Sequence, residues 1–253
     1  MLHFFRRIRQ SLLGGKQSDR TIQPGRFSRY LLYALGEILL VVIGILIALQ
    51  VDNWSEERKL QQRQFNMLSD IQSDLQSTKE ELEAGKSLNE HTLKQYRFLM
   101  EAIDTNAPYS QKIDSAMAWI PMFHVPRFTR TAYESLKSQG TDLLTNRSLK
   151  NRIADLYENE YLYLTEDQAR LEWSLHDNTK IKYTNRYLRY RDNGEIMVFP
   201  VDFEKIKADP GFINFLAEMI AIRAGGIRFY ENTILKTGEV IDAIGKELEM
   251  LKE

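Results

Sequence analysis

YLLYALGEILLVVIGILIALQVDNW, Tyr30 to Trp54, is the stretch that decides the architecture. From Tyr30 to Val51 is about 22 residues, and as a helix rising roughly 1.5 Å per residue it would span about 33 Å, enough to cross a hydrocarbon core. Its uninterrupted apolar part, Ile38 to Leu49, is only about a dozen residues, a length that also suits a buried helix or the apolar part of a signal peptide. Three features select the membrane span. Tyr30 and Tyr33 stand at one end and Trp54 at the other, where interfacial aromatic anchors belong. The segment is rich in Leu, Ile and Val and lacks proline. No small-x-small cleavage site follows, since the chain runs on as LQVDNWSEERK. The reading is an uncleaved signal-anchor that crosses once.

Charge orients it. Residues 1–29 carry Arg6, Arg7, Arg9, Lys16, Arg20, Arg26 and Arg29 against Asp19 alone, a net of about +6. Lys and Arg collect on the cytoplasmic side, so the N-terminus is expected inside a bacterial inner membrane and the remainder in the periplasm. With that tail and Glu37 taken from the chain total of −1, residues 52–253 hold about −6, which gives no reason to expect nucleic acid as a partner. The chain has no cysteine, so thiolate catalysis and thiolate metal sites are excluded. The exported part, about 200 residues, is long enough to bury a core without disulfides.

The flanking segments are read from pattern. MLHFFRRIRQSLL puts Phe4, Phe5, Ile8, Leu12 and Leu13 near one helical face beside arginines, which suits either a helix lying on the cytoplasmic leaflet or a basic tail that only sets topology. GGKQSDRTIQPG reads as a linker. After Trp54 about 50 residues pass without proline, and Phe65, Leu68, Ile71, Leu75, Leu82, Leu93, Tyr96, Met100 and Ile103 recur at threes, fours and sevens. That spacing predicts a long amphipathic, coiled-coil-like stalk over 52–105, continuing the membrane helix. Asn106-Ala107-Pro108 stops it. In the remainder, 106–253, the expected order is a helix near 110–120, an irregular segment IPMFHVPRF, a short helix ending at Gly140, and a long helix opening near Asn146 with Leu149, Ile153, Leu156, Tyr157, Leu164, Leu171 and Leu175 inward. YRDNGEIMVFPVDFEK suits a hairpin at Asn193-Gly194 or a plain loop. Asp209-Pro210 opens a last helix, with Gly225-Gly226 allowing a break. The fold class is mainly α: a transmembrane helix, a stalk and an exported bundle of consecutive antiparallel helices.

YLLYALGEILLVVIGILIALQVDNWSEERK resembles the signature of a family of uncharacterised bacterial single-span membrane proteins, with its basic opening (FFRRIRQ), its Gly-Glu-Ile membrane helix and its Asn-Trp-Ser-Glu junction. AYESLKSQGTDLLTNRSLKNRIADLY and DPGFINFL are similar to two further blocks of that family. The resemblance implies a domain of unknown function anchored by one helix, and it carries over no catalytic residue.

The four histidines, His3, His91, His124 and His176, lack the spacing of a zinc motif. Glu172 and His176 stand four apart and could supply two metal ligands; the plainer reading is a surface acid–base pair. Nucleophile elbows and phosphate loops are absent, and no cofactor is expected. Trp119, Phe123, Phe128, Tyr133, Tyr157, Tyr161, Tyr163, Tyr183, Tyr187 and Tyr190 could bind peptides or glycans, but at helical spacing they read as the core and its rim.

Glu37 breaks a local rule. An ionisable group inside a membrane helix costs roughly 2.5–3.5 kcal/mol at the centre and less near an end, and Glu37 lies about 10 Å in from Tyr30. Glu37, Val41, Gly44 and Ala48 share one stripe, with Gly36 beside it, and Gly44-x-x-x-Ala48 permits close helix approach. The stripe is expected to meet another helix, in a homo-oligomer or a polytopic membrane partner. The competing reading has Glu37 snorkelling to the interface near Arg29. The functional expectation is a non-enzymatic inner-membrane protein whose exported domain binds or scaffolds a partner. The alternative is a ligand-sensing module acting through another membrane protein. A polar-lined pocket between bundle helices would mark the second, and an exposed apolar patch the first.

Overall fold

The computed structural model describes residues 25–192 and 196–252. The segment over 1–13 and the linker up to residue 24 lie outside the described residues. By its contacts the chain falls into two units, residues 1–58 and 59–253.

Helix α1, Gly25–Asp104, has 80 residues and no proline to interrupt it. It opens five residues ahead of Tyr30 and passes through Trp54, so the apolar stretch and the amphipathic stretch are one helix. In the first unit the described side chains from Ala34 to Arg58 are exposed. An 18-residue window there has mean hydropathy 2.5 and no buried residue. Among the described residues one helix is therefore long and apolar enough to cross a membrane. The helix ends where Asn106 takes a left-handed φ of 49° and the Ala107 N–H returns to the Ala102 carbonyl at 2.8 Å, with Pro108 beyond.

The second unit is a bundle of four members, of which the remainder of α1 is the first. Its buried positions, Leu68, Ile71, Leu75, Leu82, Asn89, Thr92, Tyr96, Leu99 and Ile103, keep the three-four spacing. The second member is broken: α2 (Gln111–Met117), an irregular aromatic stretch through Pro121 and Pro126, α3 (Thr131–Gln139) and a 3₁₀ turn at Thr141–Leu143. Its bonds to α1 descend in order. The Tyr96 hydroxyl donates to the Trp119 carbonyl at 3.1 Å, the Arg127 N–H to Glu81 at 3.2 Å, the Ala132 N–H to Asp74 at 2.9 Å, and the Gln64 amide to Thr145 at 3.2 Å. This member therefore runs antiparallel to α1. Asp74 also supplies the acceptor that the first turn of α3 needs, since Arg130 at its N-cap offers none.

The third member runs from residue 147 to 187 and alternates between α and π turns: α4 (Arg147–Asp155), π turns at Leu156–Glu160 and Tyr163–Asp167, α5 (Gln168–Leu175), a π turn at His176–Lys180, and α6 (Ile181–Tyr187). Asn146 caps it by accepting the Leu149 N–H at 3.1 Å. The π turns have a legible cause. Leu149, Ile153, Tyr157 and Tyr161 are buried at steps of four, and seven residues on the stripe resumes in fours with Gln168, Glu172, His176, Lys180, Thr184 and Leu188, of which Gln168 and His176 are half-buried and the rest buried. On a straight α-helix each four-residue step drifts by about 40°, so such a stripe would wind off the bundle. A π turn takes up an extra residue and returns it. This corrects the expected inward face: Leu171 is exposed and Leu175 only half-buried, because the 3.6-residue count loses phase after the first two π turns.

Strands β1 (Leu188–Asp192) and β2 (Ile196–Pro200) pair antiparallel, with Leu188 opposite Pro200 and Asp192 opposite Ile196, so the hairpin reading holds; residues 193–195 lie outside the description. β2 packs on α2. Helix α7 (Phe203–Lys207) is capped by Asp202. Helix α8 (Pro210–Met250) has proline in its first turn and Asp209 as its cap, and it runs through Gly225-Gly226 without a break. Gln72 with Ile241, Lys86 with Glu231 and Asn89 with Arg223 descend along α8 as they climb α1, so α8 is the antiparallel fourth member.

The bundle has two apolar cores. One gathers Leu68, Leu75, Leu82, Leu136, Tyr157, Leu164 and Ile244. The other gathers Tyr96, Leu99, Met117, Tyr187, Phe212 and Leu216. The chain between them, on three members at once, is polar.

Candidate functional site

The layer between the cores holds Asn89 of α1, Glu172 and Lys180 of the third member, and Arg223 of α8, at 5%, 3%, 0% and 7% exposure. Lys180 Nζ donates to Glu172 Oε2 at 2.8 Å, across eight residues and the π turn between them. Arg223 Nη1 reaches Glu172 Oε1 at 2.7 Å and donates to Asn89 Oδ1, also at 2.7 Å. Asn89 donates its own amide to the Gly85 carbonyl at 2.7 Å. Two cations thus converge on one carboxylate at a depth where charge is expensive. Burial holds the Lys180 ammonium below its ordinary pKa; Glu172 opposes that shift and Arg223 adds to it. Burial also pushes the Tyr96 hydroxyl up to about 12, against the pull of Arg223.

Beside this layer lies a cavity of about 440 Å³. Leu88, Ala118, Trp119, Met122 and Phe123 form its apolar walls, and Asn89, Thr92, His124 and Arg223 bring polar atoms to it. Phe123 also faces the Lys180 ammonium, 5.4 Å from the ring centroid, and meets Trp173 edge-on at 5.0 Å. A second, smaller space shares Asn89, His124 and Arg223 with it and is bordered also by Gln168, Glu172 and Tyr230. Few polar groups in an apolar concavity of this size is the usual make-up of a small-molecule site.

The sequence-based candidates fall in different places. Glu172 is not one half of a surface acid–base pair with His176, nor a free metal ligand. Both its oxygens are taken by Lys180 and Arg223, while His176 packs among Phe123 and Trp173 with ring centroids 6.0 Å away. Among the described residues no group of three or more His, Asp or Glu is placed to hold a metal. His124 stands at the cavity with Nε2 3.2 Å from Glu81. Tyr133, Tyr157 and Tyr161 are core, with Tyr133 stacked on Tyr157 at 4.3 Å and Tyr157 edge-on to Tyr161. Burial raises the pKa of Tyr157 and Tyr161 far above the ordinary tyrosine value. Tyr187 is buried too, whereas Tyr163 and Tyr190 are exposed.

Gly36, Glu37, Gly44 and Ala48 all lie on α1 and are exposed, and a Cβ at Gly36 or Gly44 would meet nothing within 4 Å. Tyr30 and Tyr33 fall within α1 but their side chains are outside the description. Trp54 is exposed, with the Arg58 guanidinium 4.9 Å over its ring.

Asn89, Lys180 and Arg223 escaped sequence reasoning. One signal was available: Arg223 follows Phe212, Leu216 and Met219 on the inward stripe of α8, where a charge needs a partner.

The family of unknown function DUF6090 matches residues 37–179, more than half of the 253. The chain belongs to DUF6090. The family match begins at Glu37 and takes in Trp54, Asn89 and Glu172, and it ends one residue short of Lys180. No curated protein and no solved structure matches the chain.

Proposed function

We propose that this DUF6090 chain is a single-span protein of a bacterial inner membrane, with its N-terminus cytoplasmic and its helical domain periplasmic, and that the domain is a non-enzymatic binding module. The basic tail supports the orientation. One observation favours a small ligand over a protein scaffold: the cavity of about 440 Å³ lies between bundle members and touches Asn89 and Arg223 of the charged layer. A bound state would be passed on through another membrane protein.

Two measurements test this. The chain has no cysteine, so Ser18→Cys and Ser138→Cys each introduce a unique thiol. A membrane-impermeant maleimide applied to spheroplasts should label the second and spare the first; the reverse pattern overturns the topology. Native mass spectrometry of the protein extracted from its membrane should show a bound small molecule that Leu88→Trp, which fills the cavity, removes. The scaffold reading has its own support in Trp173, 55% exposed beside half-buried Phe123. It predicts instead a cross-linked protein partner lost on Trp173→Ala.

A further inference from the structure

Glu172, Lys180 and Arg223 form a buried cluster of two cations and one carboxylate. Such a cluster carries excess positive charge whenever Lys180 is protonated, and within the bundle little water is available to offset it. Glu81, the acid beside His124 at the cavity, is already engaged. Glu81 takes the Arg127 N–H at 3.2 Å and stands 3.2 Å from His124. Arg223 uses one amino group, Nη1, for both Glu172 and Asn89. Arg223 also lines the cavity, as do Trp119 and Phe123. A planar guanidinium lining an aromatic-walled concavity, in a cluster with more cationic than anionic groups, matches one ligand chemistry: a flat apolar body ending in a carboxylate.

We propose that the cavity between Leu88, Trp119, Phe123 and Arg223 binds a small aromatic carboxylate, with its ring against Trp119 and Phe123 and its carboxylate paired with Arg223. The proposal rests on the binding-module reading and gives it a ligand class. Together with Glu172 the bound anion balances the two buried cations, and the polar side chains of Asn89 and Thr92 border the same space. Charge complementarity therefore selects an anion over a neutral or cationic isostere. The enclosing aromatic wall selects a ring over a bare ion such as phosphate.

The test is calorimetric titration of the full chain in lipid nanodiscs with phenylbutyrate, phenylbutyramide and phenylbutylamine, with empty nanodiscs as the blank. Phenylbutyrate should bind at least about tenfold more tightly than the amide, and the amine more weakly still. Arg223→Gln should remove the preference of carboxylate over amide. Leu88→Trp should abolish binding of all three while leaving the charged layer intact. If Arg223→Gln does not fold, the order of the three probes on the natural chain and the effect of Leu88→Trp still decide. Equal binding of all three, or tightest binding of the amine, overturns the carboxylate assignment and leaves the cavity as a ligand site. Absence of binding by every probe, or binding that Leu88→Trp leaves unchanged, overturns the assignment and removes the cavity from the proposed function as well.

Discussion

Arg223 of α8 meets Glu172 of the third bundle member at 2.7 Å, both more than nine-tenths buried, and the contact joins helices whose residues are 51 apart in sequence. Through Lys180 and Asn89 the same contact ties three of the four members together in a plane between two apolar cores. Removing one side of such a cluster leaves the other charged and buried, which costs far more than the pair itself contributes.

Glu172→Gln should therefore destabilise the protein by about 3–5 kcal/mol, since it strands two cations at once. Arg223→Met should cost less, because Glu172 keeps Lys180. Urea unfolding of both variants followed by circular dichroism gives the order, and a Glu172→Gln variant as stable as the natural chain would sink the account of the layer.

Lys180 sets a pH dependence of definite sign. Its folded pKa lies below the ordinary 10.5, mainly through burial, so between the two values the unfolded chain holds more protons than the folded one. Stability should rise with pH as 10.5 is approached from below, and fall as pH drops toward the folded pKa. Lys180→Met should flatten that slope. Melting temperatures of the two proteins across this range make the comparison; parallel curves would show that Lys180 is not responsible.

Gly85 is fixed by contact rather than by backbone angle. A Cβ there would lie 2.7 Å from Cε1 of Tyr230, a ring only 5% exposed. Gly85→Ala should cost about 1–3 kcal/mol despite improving helix propensity. Adding Tyr230→Leu should make the alanine at 85 nearly neutral relative to Tyr230→Leu alone. A double-mutant cycle with no coupling would refute the contact.

In the apolar part of α1, Glu37→Leu together with Gly44→Ile should weaken association of two copies of the chain, or of the chain with a polytopic partner, in a membrane two-hybrid assay. The stripe of Glu37, Gly44 and Ala48 is open along α1, so bulk at Gly44 acts on an approaching helix and not on the chain itself. Unchanged association would return Glu37 to the interfacial role.

The legible parts of this protein were those governed by neighbours in sequence. Pro108, Gly140, Asn146 and the Asp209-Pro210 pair mark element ends because caps and stops act within a turn, and each stands where an element begins or ends. The hairpin was ambiguous for the opposite reason: five-residue strands draw their stability from pairing and from packing on α2. Leu171 was misplaced because a 3.6-residue count assumes one kind of helix, and two π turns precede it.

The sequence by itself determined one apolar run of membrane-spanning length, a basic segment ahead of it, and a mainly helical frame with stops near Pro108, Gly140 and Asp209, since each depends on local composition and on the period of apolar residues. Only the tertiary structure decided that Glu172, Lys180, Asn89 and Arg223 share one buried layer beside a cavity. Their meeting depends on helical phase and on register between members far apart in the chain. Phase here is set by π turns that form because a four-residue stripe must stay against its neighbours, and that requirement exists only once the neighbours are in place.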